Sequence, residues 1–159
     1  MENFFRARIR AALSEAGATS ILEPPGLARI DGKRPDGVTV LPFERGLPLA
    51  WDATIRHTSA PTYTHLTSIN AGSAAALAET AKEKKYAPLA DRVRFFPVGL
   101  ETLGAFGPSA LQLVDAVASR IRARTGEQGA RTRLCRRLAA AIQMGNAACI
   151  VEAHTPSLP

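Results

Sequence analysis

The stretch "KRPDGVTVLPFERGLPLAWDATIRH", Lys33 to His57, decides how this chain folds. Residues 36 to 42 alternate as a strand, "FERGLP" supplies a turn through Gly46, and the alternation resumes from Leu47 to Arg56. In the second run Leu47, Leu49, Trp51, Ala53 and Ile55 share one face, while Asp52, Thr54 and Arg56 share the other. Antiparallel pairing through the 43–47 turn brings Asp36 and Asp52 to the same end of the sheet. Two carboxylates held there repel and raise one another's pKa. A hard divalent cation relieves that repulsion, since Mg²⁺ takes one or two carboxylates together with waters and substrate phosphates. The backbone carbonyl of Ala53, directly after Asp52, is a natural third ligand. A plainer account also exists: Asp before Gly is a common turn pair, and Arg34 or Arg56 is available to pair with Asp52.

Outward from this hairpin, residues 3 to 16 place Phe5, Ile9, Ala12, Leu13 and Ala16 on one helical face, with Arg6 and Arg10 opposite. Gly17 ends that helix. "ATSILEPPGL" reads as a short strand broken by Pro24-Pro25-Gly26. The polar stretch from His57 to Ser73 reads as a long loop, and Ser73 as the cap of a helix reaching about Tyr86. "VRFFPVGLET" is a further strand in which Pro97 marks an edge or a bulge. Two helices, 108–123 and 131–151, close the chain. The order helix, three strands, helix, strand, helix, helix predicts an α/β fold with a mixed central sheet flanked by helices. One domain over 1–153 and a disordered tail over 154–159 are expected.

The chain has 159 residues and 46% hydrophobic residues, enough for one domain with a real core and too little for wholesale disorder. Its net charge of +6 favours polyanionic partners. Sixteen of the twenty basic residues are arginine, counted along the sequence, and arginine's planar fork suits phosphate. Many of them crowd into Arg120–Arg137. Cys135 and Cys149 lack the spacing of a disulfide framework or a zinc site and read as small buried thiols in a helix. No apolar run approaches the ~18 residues of a membrane span, so no membrane is expected among the partners.

Three of the four lysines fall in "AKEKKY". Lys82, Lys85 and Tyr86 stand at i, i+3 and i+4 and share a helical face, with Glu79 one turn before. A lysine beside the attacking water would stabilise negative charge developing on a phosphodiester. On its own, a helix end rich in Lys and Glu is equally well a solvated face.

Together, "RPDG", "WDAT" and "AETAKEKKY" resemble the PD-(D/E)xK pattern of restriction-endonuclease-like nucleases. The order and spacing are most similar to the C-terminal endonuclease domains of non-LTR retroelement reverse transcriptases, and the likeness runs from about Leu22 to Ala148. In those domains the lysine comes from a downstream helix. The resemblance implies a restriction-endonuclease-like core and a Mg²⁺- or Mn²⁺-dependent endonuclease acting on DNA. Asp36 would be the first metal ligand and Asp52 the acidic member of (D/E)xK, with Thr54 standing where the lysine is usual. Lys82 or Lys85 would substitute, Lys82 being preferred because it lies one turn from Glu79 toward the strand. Glu23 in "LEPPG" would add a carboxylate. Arg34, Arg131, Arg133, Arg136 and Arg137 would contact DNA phosphates without reading sequence.

A retroelement origin further implies action with, or fusion to, a reverse transcriptase. It implies a nuclear location in a eukaryotic host and a cytoplasmic one otherwise. The displaced lysine leaves a second expectation, a catalytically inactive DNA-binding domain that keeps the fold, and a third is a purely structural domain.

Overall fold

The computed structural model describes residues 2–27, 32 and 34–154. Among them a four-stranded mixed sheet and five α-helices alternate: α1 (Glu2–Glu15), β1 (Ser20–Leu22), β2 (Gly37–Thr39), β3 (Leu49–Arg56), α2 (Thr64–Thr67), α3 (Ser73–Tyr86), β4 (Arg94–Glu101), α4 (Pro108–Thr125) and α5 (Ala130–His154). The strands lie in sequence order, β1 and β2 antiparallel, β2 and β3 antiparallel, β3 and β4 parallel. The mixed α/β sheet is as the alternation predicts, with one helix more.

The period-two pattern of β3 sorts the layers. Leu49, Trp51 and Ala53 pack with Phe96, Val98 and Leu100 under α1, α4 and α5, in a core that includes Phe5, Leu13, Ile121 and Ile142. Ala50, from the other face of β3, packs with Val38, Tyr86, Leu89 and Val93 beside α3. Asp52 and Thr54 alternate with Ala50 and therefore face α3.

Several boundaries differ from the sequence expectation. β2 stops at Thr39, and Val40 and Leu41 are exposed. The chain then turns at Arg45 and Gly46, both in the left-handed region with φ of 51° and 76°. Gly72, at φ 90°, caps α3 in place of Ser73, whose hydroxyl donates backwards to the Asn70 carbonyl. The 57–73 loop holds a single helical turn, α2. β4 is an edge strand, which accommodates Pro97. Cys149 is exposed and Cys135 half-buried, so neither is the buried thiol expected. α5 continues to His154, and the tail at 155–159 lies outside the described residues. Among the described residues no helix is long and apolar enough to cross a membrane.

Gly37 of the "PDG" turn has a packing reason. A Cβ there would lie 2.7 Å from the Trp51 indole, which is its partner across the β2–β3 pair. The glycine lets the two strands close over the tryptophan, and that closure positions the aspartates that flank them.

Candidate active site

β2 pairs with β3 through Gly37↔Trp51 and Val38↔Ala50. One step beyond Gly37 and Trp51, Asp36 and Asp52 face each other where the two strands part. Both are buried, at 5% and 4% exposure. Their carboxyls are close enough to interact by charge and by hydrogen bond. The predicted convergence of the two acids is therefore met.

Asp36 is held from two sides. Its Oδ2 accepts the Ala53 backbone N–H at 2.8 Å, and its Oδ1 lies 2.5 Å from the Arg6 guanidinium. Behind it, the Arg34 carbonyl accepts the Tyr86 hydroxyl at 2.9 Å, tying the segment before Pro35 to the end of α3. Burial is the largest influence on Asp36 and, helped by the neighbouring Asp52, raises its pKa to about 6 against the opposing pull of the Ala53 N–H and Arg6.

Asp52 receives Lys82. The ammonium Nζ lies 2.8 Å from Asp52 Oδ2, with the lysine side chain 22% exposed. Lys85, one turn on, has its Nζ 4.8 Å from the centroid of the Tyr86 ring. The structure thus separates the two candidate lysines, since Lys82 is the one whose ammonium lies on the acid pair. Cations reach the pair from opposite layers, Arg6 from α1 and Lys82 from α3.

Along a strand, successive residues direct their backbone polar groups to alternate edges. The Ala53 N–H points toward β2, where Asp36 accepts it, so its carbonyl is turned the same way and is not spent on β4. The donor set is then two carboxylate oxygens and one carbonyl, all hard ligands suited to Mg²⁺ or Mn²⁺. Glu23 sits at the rim. Its side chain is exposed, 3.9 Å from Arg6, and among the described residues no third acid, His or Cys joins Asp36 and Asp52.

Glu79, one turn before Lys82 on α3, is engaged away from the strand acids. Its Oε1 accepts the N–H groups of Gly99 and Ala110 at 3.0 and 2.9 Å, and its Oε2 accepts Ser109 at 2.8 Å. It is a buried cap on the start of α4, taking the Ser109 and Ala110 N–H groups, and it ties them to the Gly99 N–H of β4. In the arginine-rich segment, Arg131 pairs with Asp115 at 2.6 Å, Arg133 with Glu15 at 2.5 Å and Glu127 at 2.6 Å, and Arg137 with Glu15 at 3.3 Å. These pairs link α5 to α1, to α4 and to the turn before α5, with the Arg131 and Arg137 side chains still more than half exposed. Arg136, expected to reach phosphate, lies on the same helix, far in sequence from the acids. Arg34 does stand at the site, donating to the Glu23 carbonyl at 3.2 Å.

Sequence reasoning missed Arg6 as a site residue. It was placed on the polar face of α1, but nothing local says that this face meets Asp36.

No protein-family model matches the chain, and comparison with curated proteins gives no match.

Proposed function

We propose that the protein is a divalent-metal-dependent endonuclease that hydrolyses DNA phosphodiester bonds on a restriction-endonuclease-like core, of retroelement origin and acting with a reverse transcriptase. The observation that supports this reading above others is the pairing of Asp36 with Asp52 at the β2–β3 fork, with Lys82 on Asp52 at 2.8 Å. This arrangement supports reading the three as the acid, acid and lysine of the PD-(D/E)xK pattern, with the lysine supplied from a helix.

Asp36, Asp52 and the Ala53 carbonyl would hold Mg²⁺ or Mn²⁺. When bound, the metal supplies charge neutralisation and Lewis-acid polarisation of the phosphodiester. The remaining work belongs to the chain. The Ala53 N–H and Tyr86 hydroxyl fix Asp36 and the segment before it, so ligand geometry is set in advance. Lys82, 2.8 Å from Asp52, offers an N–H to the attacking water and to the negative charge that builds on the phosphorus oxygens.

A second reading, a DNA-binding domain that has lost cleavage, is favoured by one observation. Arg6 and Lys82 already balance the charge of both carboxylates by direct contact. Incubation with supercoiled plasmid decides between them. Nicking with Mg²⁺ or Mn²⁺, abolished by EDTA and by Asp52→Asn, is expected of the nuclease. No nicking with either metal, or equal nicking by Asp52→Asn, would sink that reading and leave the second.

A further inference from the structure

We propose that α1 carries a DNA-phosphate subsite, in which Arg10 and Arg6 hold the sugar-phosphate backbone in the cleft that opens onto Asp36. The inference rests on the nucleic-acid reading for its substrate, but not on cleavage.

The cleft runs along one side of α1, lined by Asn3, Arg6, Arg10 and Ser14 on the helix and, against Arg6, by Glu23 and Asp36. The four helix residues follow at steps of three and four, so they form one stripe of hydrogen-bond donors. Ala7 and Ala11 lie between them in the same cleft, and their short side chains let a backbone approach the helix closely. From Asn3 to Ser14 the stripe is about 16 Å long, which covers roughly five nucleotides of one strand.

Charge distribution points the same way. Arg131, Arg133 and Arg137 are committed to Asp115, Glu15 and Glu127. Arg10 is exposed and, among the described residues, makes no ion pair. Arg6 places one guanidinium nitrogen on Asp36 and the other 3.9 Å from Glu23, with its side chain 27% exposed. A phosphate oxygen seated between Arg6 and Arg10 would meet the exposed Arg10 guanidinium and the accessible part of Arg6. The two acids beside Arg6 repel phosphate unless a cation covers them, which leaves Arg10 as the first point of grip. The strand is therefore gripped at Arg10 and led toward Asp36.

Fluorescence anisotropy with a labelled DNA duplex, in Ca²⁺ so that binding and not cleavage is read, tests the subsite. Arg10→Gln, at an exposed position that leaves the fold intact by circular dichroism, is expected to weaken binding by roughly three- to tenfold. It should also make the slope of log K against log salt shallower by about one, the signature of one lost phosphate contact. Arg10→Lys should keep the slope. Wild-type affinity and slope in Arg10→Gln, or no DNA binding by the wild type, overturns the proposal. Weakened binding by Arg10→Gln in a protein that never nicks plasmid would uphold the subsite while the nuclease reading fails.

Discussion

Lys82 lies with its Nζ 2.8 Å from Asp52 Oδ2, so a helix delivers to this carboxylate the cation that the strand's own Thr54 cannot provide. Thr54 shares Asp52's face of β3 and is itself buried under α3. The consequence for activity is specific. Lys82→Ala should lower plasmid nicking by at least ~10²-fold, the usual scale for a positioned proton-transfer or charge-stabilising group. Lys85→Ala, which removes an ammonium lying over the Tyr86 ring, should lose less than ~10-fold. Single-turnover nicking rates decide it, and the reverse ranking would move the role to Lys85.

The raised pKa of Asp36 makes metal-free stability depend on pH. Its value goes from 3.8 in an ordinary carboxyl to about 6, burial being the first cause and Asp52 an added one. Between these values the folded protein keeps a proton that the unfolded chain has released. Stability is therefore highest below about pH 4 as far as this group is concerned, and it falls as pH rises through about 6. At 1.36 kcal/mol per unit the loss is at most about 3 kcal/mol. Glu79, raised chiefly by burial, acts in the same direction. The quantity to measure is hence the difference between wild type and Asp36→Asn in urea melts with EDTA, which should widen in favour of Asp36→Asn from about pH 4 to 7. Parallel curves would show that Asp36 is not raised.

Adding Mg²⁺ should reverse that loss. A cation that binds only the folded, ionised pair stabilises by RT ln(1 + [L]/Kd), about 2.7 kcal/mol at a hundredfold excess over Kd. A rise in Tm with Mg²⁺ at about pH 8, absent in Asp52→Asn and fading below about pH 6 as Asp36 takes up its proton, is the expected pattern. The same rise in Asp52→Asn would place the bound metal elsewhere.

Much of this site is legible in the sequence because it depends on short-range order. Period-two alternation and an antiparallel pair suffice to bring Asp36 opposite Asp52, and helical spacing suffices to set Lys82 and Lys85 on one face. What could not be read depends on docking. Arg6 precedes the "PDG" turn by a strand and a loop, and only the packing of α1 against β3 and the end of β2 carries it to Asp36. Arg133 meets Glu15 across 118 residues, so the bare count of arginines says nothing of which are neutralised. Glu79 has the right helical spacing for the acid site, yet the start of α4 lies closer and claims it.

The braced arginines should behave as structural residues. Arg133→Gln removes the arginine shared by Glu15 of α1 and Glu127 of the turn before α5, leaving Glu15 only Arg137, and it should lower Tm, more so at low salt, where exposed pairs are least screened. Its effect on DNA affinity in Ca²⁺ should be smaller than that of Arg10→Gln. A variant with unchanged Tm and weakened DNA binding would return Arg133 to the phosphate contacts first expected of it.

Glu79 should be among the most sensitive positions outside the acid pair. It is 3% exposed and accepts three backbone N–H groups, from Gly99, Ser109 and Ala110. Glu79→Ala strands those donors in a space too small to hydrate freely, at about 1–3 kcal/mol each, so a loss of at least about 3 kcal/mol is expected in denaturant melts. Glu79→Gln keeps one acceptor oxygen and should lose less. The glycines around it are part of the same arrangement: a Cβ at Gly99 would meet the Ala75 carbonyl oxygen at 2.5 Å and Glu79 Cγ at 2.8 Å. Gly99→Ala should therefore destabilise as well, and combining it with Glu79→Ala should cost less than the sum, because the first substitution already displaces the cap. Strict additivity of the pair, or a Glu79→Ala protein within about 1 kcal/mol of wild type, would show that α4 does not depend on this carboxylate for its start.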